Sequence, residues 1–200
     1  MTAQEARALW QNEDRAEWQR AFDAYPEVVE KQGVSTLAGL DRRYREELGV
    51  ALSQRRPPSL EAQELELVTV WKMRRGEWRP RNLALVRSNP PETIRAAGER
   101  SFGDVEHARQ ALDHLCALAG VGAATASAVL AAFRPDLYPF LDELVGAAIP
   151  ECGEPKFTVA YYLRYASVLR DRAAVLGPPW TAQGVGMALW SASGGKGARR

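Results

Sequence analysis

Asp142 is the residue with the strongest claim on chemistry, and it ends an apolar approach, Tyr138-Pro139-Phe140-Leu141-Asp142. A fixed carboxylate can stabilise positive charge developing on a sugar, or orient a water to attack it. The same position suits the cap of a helix that begins at Glu143, since an aspartate there accepts from the first free N–H groups. Glu143 either assists Asp142 or simply favours the positive end of that helix. Upstream, Gly120-Val121-Gly122 separates two stretches that read as helices, and Ala123, Ala124 and Thr125 follow at once. Glycines allow a sharp turn and a close approach to a ligand. The first N–H groups of the second helix, with its positive dipole end, suit a phosphate. Val121, at the tip, is expected to tuck between the two helices. The plainer reading is a tight connection with no ligand.

A second cluster, Trp71-Lys72-Met73-Arg74-Arg75-Gly76-Glu77-Trp78-Arg79-Pro80-Arg81, alternates cations with two indoles. Cations meet phosphates and indole faces stack on unpaired bases, so the mixture suits nucleic acid. Lys72, Arg75, Arg79 and Arg81 are the expected phosphate contacts, while Trp71, inside an apolar helix, reads as a core anchor. Residues 71–100 hold eight Lys or Arg against three Glu, whereas the whole chain carries a net charge of only +1. That distribution suits a local phosphate-binding face and argues against broad coating of nucleic acid. His107 and His114 are seven residues apart, too far for a two-histidine metal pair on one helix. Cys116 and Cys152 are too few for a four-cysteine zinc or iron–sulfur site and suit a reducing compartment.

The string Leu118-Ala119-Gly120-Val121-Gly122-Ala123-Ala124-Thr125-Ala126-Ser127-Ala128-Val129-Leu130 resembles the hairpin of the helix-hairpin-helix DNA glycosylase superfamily. The usual form there is L-P-G-V-G-x-K-T-A, with a catalytic aspartate after the next helix. Asp142 lies eighteen residues beyond Ala124, which matches the lysine position, and this is where the resemblance puts the aspartate. The match covers about residues 112–148. Ala124 replaces the lysine with which bifunctional members form a Schiff base, so strand nicking from that position is not expected. Glu143-Leu144-Val145 stands where Thr-His-Val is commoner, and the core ahead of the hairpin is shorter. The resemblance implies a monofunctional glycosylase acting on a flipped base. The alternative is a non-catalytic module that grips DNA or RNA structure on the same fold.

The elements that must position these residues read as almost entirely helical. Residues 3–23 are amphipathic, with Ala6, Leu9, Trp10, Trp18 and Phe22 among charges. A short helix comes after Tyr25-Pro26, and another runs from Ser35 or Thr36 to a stop at Gly49. Arg55-Arg56-Pro57-Pro58-Ser59 reads as a linker, and Ser59 as the cap of a helix over 60–75. Gly76 and Pro80 punctuate the next stretch of chain. Helices are expected after Asn89-Pro90-Pro91, from Ser101 to Asp104 into the hairpin, and over 157–175. The expected class is an all-α helical bundle with a helix-hairpin-helix motif and no iron–sulfur cluster. Its expected division is an N-terminal region 1–56, a core 57–191 and a disordered tail 192–200. A chain with 46% hydrophobic residues can bury one sizeable core. No apolar run approaches a membrane span and the N-terminus is polar from the start, so a cytoplasmic location is expected. No metal or cofactor is implied. Nucleic acid, DNA ahead of RNA, is the expected partner.

Overall fold

The structure is a computed structural model that describes residues 3–196, and every regular element among them is helical. The expected helix over 3–23 is two, α1 (Ala3–Trp10) and α2 (Arg15–Asp23). The break is local side-chain chemistry. Asp14 N donates to Asn12 Oδ1 at 2.8 Å, and Asp14 Oδ1 accepts from Ala16 N at 2.8 Å to cap α2. After α3 (Tyr25–Glu30), with Pro26 in its first turn, come α4 (Leu37–Arg42), a π-helical turn (Arg43–Leu48) and α5 (Gly49–Gln54). Gly49 does not stop the helix as expected. It keeps helical backbone angles, and a Cβ there would lie 3.1 Å from the Ala132 carbonyl oxygen, so this glycine admits a close neighbour.

The helix α6 (Ala62–Arg75) starts on Glu61 rather than Ser59, and Glu61 N donates to Glu64 Oε2 at 2.7 Å. Pro80 opens a helix, α7 (Pro80–Arg87), where the sequence suggested only punctuation. Next in the chain are α8 (Pro91–Gly103), α9 (Ala108–Cys116), α10 (Ala123–Phe133), α11 (Glu143–Ala148), α12 (Val159–Leu176) and α13 (Ala182–Ala192).

One side of the molecule is built on α13, whose neighbours are α1, α2, α3, α11 and α12. The other side is built on α10, which packs on α5, α6 and α9. A single continuous core runs through both, from Ala6 to Ala192, and it crosses the boundary expected at 56/57. Burying aromatic rings such as Trp18, Trp71 and Trp190 supplies much of its stability, at about 25 cal/mol per Å² removed from water. Of the tail expected to be disordered, residues 192–196 sit against the body. Ser193 is buried and Gln32 Nε2 donates to the Gly194 carbonyl at 3.0 Å. Residues 197–200 lie outside the described residues. No helix among those described is long and apolar enough to cross a membrane.

Candidate functional site

The segment of residues 134–142 is irregular, yet its backbone runs inside the fold, so its polar groups need partners. Three helices supply them. Gln183, on α13, donates its N–H to the Pro135 carbonyl and accepts from Phe140 N at 2.7 Å through Oε1. Tyr162 and Tyr165, on α12, donate to the carbonyls of Pro139 (3.0 Å) and Phe140 (2.8 Å). Ser127, on α10, accepts from Leu141 N at 3.0 Å. The chain therefore delivers Asp142 to one place. Its Oδ1 accepts from Leu144 N at 2.9 Å, which is the helix cap anticipated from sequence, and the residue is 7% exposed.

The second carboxylate oxygen, Oδ2, accepts from Arg75 Nη2 at 3.1 Å. Arg75, expected from the basic run as a phosphate contact, is buried and paired with Asp142. Its guanidinium lies 3.9 Å from the Trp190 ring centre, with Trp71, Phe140 and Tyr25 further out. Arg75 Nη1 donates to Tyr25 Oη at 2.6 Å, and Tyr25 donates to Asp41 Oδ1 at 2.8 Å. Asp41 also accepts from Trp71 Nε1 and from Arg45 Nε. Burial works against the charge on Arg75 more than any other single influence. Tyr25, Asp142 and Asp41 together outweigh it and hold the guanidinium protonated.

The two glycines of the α9–α10 turn differ. Gly120 has φ +75°, and a Cβ there would come within 2.8 Å of the Asn82 carbonyl oxygen and 2.9 Å of Leu85 Cβ. This glycine serves the packing of the turn on α7. Asn82 Nδ2 donates to the Gly120 carbonyl at 3.0 Å, and the Asn89 amide both donates to the Ala119 carbonyl and accepts from its N–H, each at 2.9 Å. Gly122 has extended backbone, and nothing lies within 4 Å of where its Cβ would be. Gly122 caps α10 with its carbonyl, which accepts from Thr125 N and Ala126 N. The N–H groups of Ala123 and Ala124, in the first turn, have no acceptor within the helix. Val121 packs into the core as expected of the tip residue.

A cavity of about 360 Å³ joins these parts. Gly120, Gly122, Ala123, Ala124 and Thr125 line one wall, Lys72, Arg75, Gly76 and Arg79 another, and Asp142 with Glu143 a third. Arg81 is exposed and outside this lining. His107 is exposed, and His114 Nε2 lies 2.8 Å from Asp104 Oδ2, apart from the site. Several contributors were not read from the sequence. Lys196 reaches in from the end of the described chain and ion-pairs with Glu143. Phe157 lines the cavity while 56% exposed. Asn82 and Asn89 hold the turn, and their order ahead of the glycines carried no signal of it. Lys72 has its pKa lowered, first by burial and then by the charges of Arg79 and Lys196. Burial pushes the Cys116 and Cys152 thiols up to about 11, which keeps both protonated.

The cavity thus combines a helix N-terminus, cations on the facing wall and one immobilised carboxylate. Such a space can hold an anionic group and set a carboxylate beside the part attached to it. No protein-family model, curated protein or solved structure matches this chain.

Proposed function

We propose that this is a DNA-binding protein of the repair type, a monofunctional DNA glycosylase that removes a damaged or flipped base by hydrolysing its N-glycosidic bond. The observation that carries this reading is the meeting of the α10 N-terminus, Lys72, Arg79 and Asp142 around one cavity. The free N–H groups beside Gly122, with Lys72 and Arg79, would hold a backbone phosphate. The volume is in the range of sites that enclose a small ligand, of roughly 300–1,000 Å³, and would receive an extruded base. Asp142 would then face the sugar. Leu144 and Arg75 hold its carboxylate in place beforehand, so little reorganisation is needed as positive charge develops.

A second reading rests on the same ion pair. Arg75 offsets part of the Asp142 charge, which suits a module that binds nucleic-acid structure without cutting the glycosidic bond. The test is base release from duplexes carrying uracil, alkylated, oxidised or deaminated bases, with alkali added to reveal abasic sites. Wild type should release one class of base. Asp142→Asn should lose at least about 10²-fold in rate while binding as well or more tightly. Salt-sensitive binding without release would transfer the conclusion to the second reading.

A further inference from the structure

The run of residues 71–81, which reads in the sequence as one basic and aromatic surface, is divided by the fold between two faces. Gly76, Glu77 and Arg79 line the cavity, whereas Trp78 and Pro80 line an open groove with Leu83, Ala84 and Arg87 of α7, and the two linings share no residue. Of the six tryptophans in the chain, five are buried or half-buried, while Trp78 is 42% exposed. The Arg74 guanidinium carbon lies 4.5 Å from the Trp78 ring centre. Charge around this ring is one-sided. No acidic residue occurs from Trp78 through Pro91. Glu77 is bonded to Arg79 and Glu66 to Arg87, and the exposed Arg74 and Arg81 have no ion pair among the described residues.

We propose that Trp78, with Arg74 and Arg81, forms a second nucleic-acid contact outside the cavity, a platform that stacks an unpaired base of a single strand. It rests on the reading above only in taking nucleic acid as the partner, and it needs no base release. An arginine over an exposed indole is held more weakly than a base stacked there, so the base takes the ring and the guanidinium turns to the strand's phosphate. Pro80, Leu83 and Ala84 give the base an apolar surface beside the ring. Within a duplex both faces of a base are covered by its neighbours, so a lone exposed indole selects an unpaired strand. Unpaired arginines on a stretch without carboxylates favour a polyanion.

The experiment is fluorescence anisotropy on the full chain with labelled oligothymidylate, oligouridylate and a strand of the same length that carries the phosphates without bases. These strands hold no damaged base, so a failed glycosylase reading does not decide the result. Wild type should bind the strands with bases more tightly. Trp78→Ala should weaken them at least about fivefold and change the base-free strand by less than about twofold. Trp78→Phe should keep most of the binding and Trp78→Leu should not, because stacking needs a ring and not merely an apolar surface. Arg74→Gln/Arg81→Gln should weaken all the strands and flatten the dependence on salt. Photocrosslinking of wild type to a strand carrying 5-iodouracil, read by peptide mass mapping, needs no variant to fold. Its adduct should sit on Trp78 and persist in Gly122→Leu, which tests the cavity instead. Binding of the DNA or the RNA strand supports the platform, and the tighter of the two names the source. Equal binding of strands with and without bases, or adducts that avoid Trp78, overturns the proposal. Full binding in Trp78→Leu also overturns it, and assigns the groove to an acidic peptide.

Discussion

Arg75 and Asp142 neutralise each other inside the fold, and each is also tied elsewhere, Arg75 to Tyr25 and Asp142 to Leu144 N. Removing one member of a buried pair strands the other charge and costs about 3–5 kcal/mol, whereas replacing both is far milder. Arg75→Met should therefore lower the urea-unfolding free energy by about that amount, and Arg75→Met/Asp142→Asn should recover most of it, since asparagine still caps α11. A double variant no better than the single would show that the pair is not coupled. Part of this was legible in the sequence. Trp71 and Arg75 are four residues apart on one helix and share a face, so a core assignment for Trp71 carried Arg75 inward with it. Reading the basic run by composition alone hid that. The partner Asp142, sixty-seven positions away, had no local signal linking it to Arg75.

Between α9 and α10, the two turn glycines do different work, and substitution should separate them. Gly120→Ala meets both a left-handed backbone and the Asn82 carbonyl, so thermal unfolding should show a loss of about 2–4 kcal/mol. Gly122→Ala should stay within about 1 kcal/mol of wild type, because its Cβ would enter open space. Gly122→Leu should keep the fold and weaken DNA binding, read by fluorescence anisotropy across a salt series. Unchanged binding would mean that no phosphate sits at this helix start. The presence of the turn, and of the helices either side, was legible from glycine spacing and local apolar periodicity. Missed elements have physical reasons. In α7, Pro80 initiates a helix, although proline read on its own signals a break. The α13 helix is buried over most of its length, so it lacks the polar face that periodicity detects.

Across the whole molecule, tyrosines from distant segments share the core, among them Tyr25, Tyr44, Tyr162 and Tyr165. Burial raises each of their pKa values above the ordinary 10.0. A pKa higher in the folded than in the unfolded chain contributes stability that is complete below about pH 10 and declines as pH rises beyond it. Stability to urea should thus fall steeply above pH 10, and tyrosinate absorbance should appear together with unfolding rather than before it. Early, non-cooperative ionisation would contradict the burial. The amino-acid sequence by itself determined the helical class, the glycine turn and the cap role of Asp142, because periodicity, backbone freedom and capping act within a few residues. Only the tertiary structure decided that Arg75 faces Asp142, that the N-terminal helices close around α13, and that Lys196 enters the cavity beside Lys72. Those outcomes arise because one core is packed by segments far apart in the chain, and the spacing of residues along a single helix does not encode which distant surface will cover it.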